Sequence, residues 1–282
     1  MPTDTDVATF WDDGVVCLRG VMPAEWIARM EDEVETALTS AATTDLSAMG
    51  DALGAAGARL TIDPLVTASG APRGQFRAGT DHWIEQPEFL AFAADSPLPA
   101  IVARLLGSEQ VWLYEDSVLV KEPGTAERTA FHQDLAYFHL DGDQVCTVWV
   151  PLDPVDADNG AVQYVRGSHR DRTSFRPNFF VTTDAIPDTV GAVVPDRTGD
   201  PDLVGFDTMP GDIVVHHART IHGAHGNRST TRRRRAMSVR YAGDDTVFRI
   251  KTGAPTKPHH AELVEGAPLT EPACPRVWPV SS

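Results

Sequence analysis

Basic residues are scarce in this chain: 24 Lys and Arg stand against 40 Asp and Glu, a formal net charge of −16. Such a field repels phosphate backbones and anionic lipid surfaces, so neither a nucleic acid nor a membrane is expected as partner. The one concentrated basic run is Arg232 to Arg235, beside a strand-like segment, and it is too short to reverse that expectation. Cysteine is scarcer still. Cys17, Cys146 and Cys274 are odd in number and far apart, which excludes a disulfide framework or a Cys-based metal site, points to buried spectators, and fits a reducing compartment. No apolar run approaches the roughly 18 residues that a membrane span needs, and the acidic Met-Pro-Thr-Asp start has no apolar leader segment. The expected location is therefore the cytoplasm. Internal repeats and low-complexity segments are also missing.

What is present is ordinary globular material: 42% hydrophobic and 23% charged residues over 282 positions, enough for one large domain with its own core. Pro23 followed by Ile27, Met30, Val34, Ala37 and Leu38 predicts an amphipathic helix. Residues 39 to 80, rich in Ala, Gly, Ser and Thr, read as mostly irregular. A second helical region spans about Pro87 to Leu106, interrupted by Ser96-Pro97-Leu98-Pro99 and closed by Gly107 as a left-handed cap. Then the pattern changes to short β-favouring runs at Val111 to Lys121, Val145 to Leu152, Ala161 to Val165, Asp212 to His217 and Ala236 to Tyr241, a spacing that suggests a β-sandwich or open barrel. The long connection from Arg170 to Pro201, with Phe175, Phe179 and Phe180, has the length of a lid or binding loop. The expected organisation is a helical decoration to about residue 107, a barrel core over about 110 to 250, and a Pro-rich tail from 253 to 282.

Metal chemistry enters through histidine. Two imidazoles and a carboxylate on one face of an iron(II) ion leave positions open for co-substrate and oxygen, and the sequence signature is His-x-Asp with a distant His. The pattern occurs three times, as His132/Asp134, His139/Asp141 and His169/Asp171. The second runs into an Asp-Gly-Asp turn and the third sits in a loop. On an extended backbone His132 and Asp134 point the same way, which makes this pair the best candidate. For the distal ligand the segment from Gly211 to His225 offers His216, His217, His222 and His225, and the residues alone leave the choice open.

The linked motifs Phe131-His132-Gln133-Asp134-Leu135, Val148-Trp149-Val150-Pro151-Leu152-Asp153, Asp158-Asn159-Gly160-Ala161 leading to Gly167-Ser168-His169, Gly211-Asp212, Thr220-Ile221-His222-Gly223, Asn227 and Ala236-Met237-Ser238-Val239-Arg240-Tyr241 stand in one order. This order resembles the phytanoyl-CoA dioxygenase-like (PhyH) branch of the Fe(II)/2-oxoglutarate-dependent oxygenases, over roughly residues 110 to 242. The resemblance implies a mainly β fold with flanking helices, a double-stranded β-helix or cupin-like jelly roll. It also implies Fe(II), 2-oxoglutarate and O2 as cofactors and His132, Asp134 and His222 as metal ligands. It places an arginine for the far carboxylate of 2-oxoglutarate within Arg232 to Arg235. Alignment on the following Ala-x-Ser selects Arg234, with Arg233 as runner-up; strand parity agrees, since Arg234, Ala236 and Ser238 share one face and Met237, Val239 and Tyr241 the other. Trp149 and Ser117 are expected to line the co-substrate site, and a serine common in the family two residues after the distal histidine is here Ala224. His216, His217 and His225 are expected beside the metal ligands or at the pocket edge, and Tyr137, Phe138 and His139 as pocket lining or packing. The implied reaction is hydroxylation of an unactivated carbon of a small metabolite, with succinate and CO2 released. Desaturation, cyclisation, epimerisation, and a non-catalytic metal-binding barrel are the alternatives. Related halogenases lack the carboxylate ligand; Asp134 argues for hydroxylation.

Overall fold

The computed structural model describes residues 1–68 and 72–279. The chain opens with α1 (Asp4–Asp13), β1 (Val15–Leu18), α2 (Ala24–Ala37), β2 (Thr43–Asp45), α3 (Leu46–Ala55), α4 (Pro64–Ala68), β3 (Phe76–Thr80), α5 (Pro87–Asp95) and α6 (Leu98–Leu106). It continues with β4 (Val111–Lys121), β5 (Thr129–His132), β6 (Leu140–Asp141), β7 (Val145–Pro151), β8 (Val162–Val165), β9 (Leu203–Gly205), β10 (Ile213–His217), β11 (His222–Ala224), β12 (Arg234–Ala242), β13 (Val247–Phe248) and β14 (Arg276–Trp278).

A large antiparallel sheet runs β1-β10-β7-β12-β4-β3-β2, with β14 also on β4, and a smaller one runs β5-β11-β8-β9. The two form the jelly roll. Period-two alternation decides which way each side chain points. Val118, Val120, Val148, Val150, Met237, Val239 and Tyr241 lie under Phe10, Met30, Val34, Phe92 and Leu105 of the helical layer in one apolar core. The opposite face turns Trp149, Val214 and Ala236 inward, where they meet Tyr164 of the small sheet. The parity expected for β12 is therefore the one observed.

The first 107 residues differ from the helical decoration expected of them. β1 pairs with β10, and β2 and β3 extend the large sheet beyond β4. The stretch from 39 to 80 is not mostly irregular. Asp45 caps α3 by accepting from the backbone N–H groups of Ser47 and Ala48, at 2.9 and 3.0 Å. Strands of three to five residues carry too little periodicity to announce themselves, and β3 is ordered by its ladder with β4 rather than by its own composition. α1 was also not anticipated, although Thr3 and Asp6 form a reciprocal capping box there. Gly107 does end α6 in the left-handed conformation, at φ 65°.

Among the described residues no single helix is long and apolar enough to cross a membrane; the bent pair α5 and α6 is apolar because it packs on the sheet. Cys146 and Cys274 are buried and Cys17 only half-buried, and all three are free. The tail expected over 253 to 282 contributes β14 to the sheet edge, and its last three residues lie outside the described ones.

Candidate metal centre

β5 and β11 are neighbours in the small sheet, and their register sets His132 directly opposite His222. The chain leaves β5 after His132 and enters a 3-10 turn, Asp134–Ala136, which swings the carboxylate of Asp134 toward both imidazoles. Asp134 Oδ1 is 3.5 Å from His132 Nε2 and 3.6 Å from His222 Nε2. These three are the one group of metal-ligating type brought together among the described residues, with donor atoms within 4.8 Å of one another. All three are buried.

The surroundings prepare each donor. His132 Nδ1 donates to Ala130 O at 2.8 Å and His222 Nδ1 to Thr220 O at 3.0 Å, so both rings keep the proton on Nδ1 and aim the Nε2 lone pair at the shared point. Thr147 Oγ1 donates to Asp134 Oδ2 at 2.5 Å and His216 Nε2 donates to the same oxygen at 3.1 Å. Oδ2 is thereby occupied, leaving Oδ1 for an ion. Burial pushes the Asp134 carboxyl up, but His222, His132 and His216 together outweigh it and hold it well below the usual carboxylate range. Burial, then the neighbouring His132 and His216, press His222 well below the ordinary imidazole value. A carboxylate beside a neutral imidazole is the protonation state a divalent cation requires.

Two aromatic rings pack against His132. Tyr137 meets the His132 ring edge-on at 5.6 Å and stacks on Phe180 at 5.0 Å, and Phe180 meets His132 edge-on at 5.0 Å. Phe180 belongs to the long connection from 170 to 201 and holds φ 62°, a conformation that a bulky L-residue rarely adopts. Asn178 clamps it by accepting from Phe180 N at 2.8 Å while donating to Phe131 O at 3.1 Å.

Further along the barrel interior lies Arg234. It is 2% exposed, donates from Nη1 to Leu119 O at 3.2 Å, and leaves Nε without a partner. Among the described residues no carboxylate lies within ion-pair distance of it, and burial pushes its guanidinium down to about 10. Tyr164 also points a buried hydroxyl without a partner into this region, near enough that it and Arg234 feel each other's charge, while its ring lies against His222 and His216 at 5.8 and 5.2 Å. A buried cation without a counterion is costly unless an anion completes it. The barrel thus presents a bidentate donor at one end and a two-imidazole, one-carboxylate set at the other, which fits a dicarboxylate chelating a metal.

The other arginines of the run are spent. Arg232 pairs with Asp156 at 2.7 Å, Arg233 with Glu35 and Glu122 at 2.6 and 2.7 Å, and Arg235 with Asp153 at 2.8 Å, so the run is no free basic patch. Trp149 lies on the inner face with Ala236 and Tyr164. Ser117 is also inward and stands opposite Ser238, one inward step beyond the Leu119 and Ala236 pair, and its hydroxyl accepts from Arg240 at 2.5 Å. His217 packs outside the barrel against Phe10, Trp11 and His169, and His225 lies 3.6 Å from Asp63. The two rejected pairs stand apart: His139 hydrogen-bonds the tail at Pro255 O, and His169 the Trp11 carbonyl. Thr147 and Tyr164 escaped the sequence analysis; the β8–β11 register that sets Tyr164 opposite His222 was the missing information.

A family model described as Phytanoyl-CoA dioxygenase (PhyH) matches residues 10–236. A probable alpha-ketoglutarate-dependent hypophosphite dioxygenase of Stutzerimonas stutzeri is 30% identical over 168 residues, 57% of this chain and 57% of that protein. The match therefore spans little more than half of that relative. Among solved structures, the non-heme alpha ketoglutarate dependent carbocyclase SnoK from nogalamycin biosynthesis is similar with a TM-score of 0.69 at 22% identity, covering 98% of this chain and 96% of that one. The epimerase SnoN in complex with Fe3+, alpha ketoglutarate and nogalamycin RO gives 0.67 at 23% identity, covering 97% and 98%. The two structures share the fold, and the family model reaches across helices, jelly roll and metal cluster alike: the chain belongs to the phytanoyl-CoA dioxygenase (PhyH) family.

Proposed function

We propose that the chain is a 2-oxoglutarate-dependent hydroxylase of a small organic molecule, binding iron(II) through His132 Nε2, His222 Nε2 and Asp134 Oδ1. The observation that carries this reading is the pairing of that donor set with Arg234, a buried guanidinium without a counterion in the same barrel. A barrel that merely stored metal would have no use for such a cation. When bound, iron(II), 2-oxoglutarate and O2 supply the oxidising chemistry: 2-oxoglutarate is oxidised to succinate and CO2 while one oxygen atom enters a C–H bond of the substrate.

The protein's part is positional. Arg234, with Tyr164 beside it, takes the far carboxylate of 2-oxoglutarate and so fixes which end reaches the metal. Thr147 and His216 hold Asp134 so that it offers one oxygen, keeping positions open for co-substrate and O2. Trp149, Val214 and Ala236 form the dry wall between the two ends, and Phe180 with Tyr137 shields His132 from bulk water. The presence of Asp134 supports oxygen insertion over halogenation.

The test is anaerobic addition of iron(II) and 2-oxoglutarate to metal-free protein, read as the visible charge-transfer band of the chelate, for wild type and His222→Ala. A band in wild type alone, followed by succinate formation in air, is expected. Iron binding without a band in wild type would refute the proposal. Product analysis after substrate screening then separates hydroxylation from desaturation, cyclisation or epimerisation.

A further inference from the structure

The turn that carries Asp134 has a second side. Where His132 and Asp134 face the metal site, the alternate residues Gln133 and Leu135 face an open cavity of about 180 Å3, lined also by Phe175 and Val190 of the long connection and by Arg219 and Lys251. Among the described residues no Asp or Glu lines it, in a chain whose net charge is −16. Lys251 donates to Leu135 O, which leaves two of its three N–H groups, and among the described residues no carboxylate lies within ion-pair distance of it. Burial, then Arg219, push its ammonium down to about 8. The carboxylates nearest Arg219 are loose partners, Asp141 at 3.4 Å and Asp143 at 3.8 Å, and Asp143 is already gripped by Arg172. Arg219 Nε is buried without a hydrogen bond. The main chain of Arg219 is held from two sides, its carbonyl accepting from Gln133 Nε2 at 2.6 Å and its N–H donating to His217 Nδ1 at 3.0 Å, so the guanidinium is carried on a rigid base.

Around these cations Leu135, Phe175, Pro177 and Val190 supply apolar wall between the polar Gln133, Ser174, Thr189 and Thr252, and Val190 at the cavity and Ile250 next to Lys251 are 77% and 61% exposed. Exposed apolar side chains around under-neutralised cations suit a ligand with an anionic head on an apolar body. The volume is below the roughly 300 Å3 of a pocket that encloses a whole drug-sized ligand, so it suits one end of a molecule.

We propose that this cavity binds the anionic end group of the substrate, a carboxylate or similar oxyanion on an apolar skeleton, with Lys251 and Arg219 as its ion-pairing partners. The inference rests on the oxygenase reading for the word substrate; the anion preference itself does not. Bound there, the head group anchors the molecule one turn of chain from Asp134, and the remainder is left to reach the metal side.

The test uses full-length protein with iron(II) and saturating 2-oxoglutarate under anaerobic conditions, so that Arg234 is occupied, titrated with benzoate and with its neutral counterpart benzamide by ligand-observed NMR. Benzoate is expected to bind at least tenfold more tightly. Lys251→Met should remove that preference while leaving benzamide affinity unchanged, and Lys251→Arg should restore it, which a merely structural lysine would not do. Equal affinity for the two probes, or a preference that survives Lys251→Met, would overturn the proposal. The chelate band recorded in the same wild-type samples reports on the iron and 2-oxoglutarate reading alone: its absence removes that reading, while the benzoate preference still decides this one.

Discussion

Replacing Arg234 by methionine should change two measured quantities in opposite directions. In the ligand-free protein the guanidinium is buried with one carbonyl as partner, and its descent from the ordinary arginine value to about 10 corresponds to about 3 kcal/mol of destabilisation at 1.4 kcal/mol per tenfold. The sign follows from a base whose folded value is depressed: the penalty is full below about pH 10 and fades as pH rises toward the ordinary arginine value. Methionine removes that penalty but also loses the bond to Leu119 O, about 1 kcal/mol, so the ligand-free variant should gain about 1–2 kcal/mol, or a few degrees in Tm. With 2-oxoglutarate the balance reverses. A carboxylate buried without its cation costs about 3–5 kcal/mol, so affinity should fall by about 10²- to 10³-fold. Thermal denaturation with and without 2-oxoglutarate, in the presence of a redox-inert divalent metal, reads both effects: wild type should show a large ligand-induced rise in Tm and the variant almost none. A ligand-free variant that melts well below wild type, or one that binds 2-oxoglutarate within tenfold of it, would show that Arg234 is a structural cation and refute the reasoning.

Three further outcomes follow from the same geometry. Thr147→Val keeps the shape but removes the hydroxyl that holds Asp134 Oδ2, so iron affinity should drop about 10- to 100-fold with little change in Tm, checked by competition with a chromophoric chelator. His217, which burial and then His169 push down to about 3, stays neutral in the fold while the unfolded chain takes up a proton below 6.5. Stability should therefore decline by about 1.4 kcal/mol per pH unit as pH falls from 6.5, and urea titrations at pH 7, 6 and 5 should show a shallower decline in His217→Gln. Gly14 caps α1 at φ 77°, and a Cβ there would lie 2.4 Å from His169 Nδ1; Gly14→Ala should cost at least about 2 kcal/mol in the same titrations.

The sequence by itself determined a good deal here, because local chemistry was enough. Acidic composition and scattered cysteines set the class. The resemblance selected Arg234 from the run of four, and the period-two alternation of Arg234, Ala236 and Ser238 against Met237, Val239 and Tyr241 agreed with it, since strand neighbours point to opposite faces. The order of the linked motifs named His132, Asp134 and His222 as the set to look for. Tertiary structure decided what depends on distance between strands remote in sequence. Only the β5–β11 register brings His132 and His222 to face one point, and only the antiparallel pairing of β7 with β10, which sets Thr147 opposite His216, brings both to the far oxygen of Asp134. The β4–β12 register likewise decided that Ser117 stands opposite Ser238, within reach of Arg240. β1, β2 and β3 were illegible because a strand of three to five residues has no stability or pattern of its own until a neighbour supplies its hydrogen bonds.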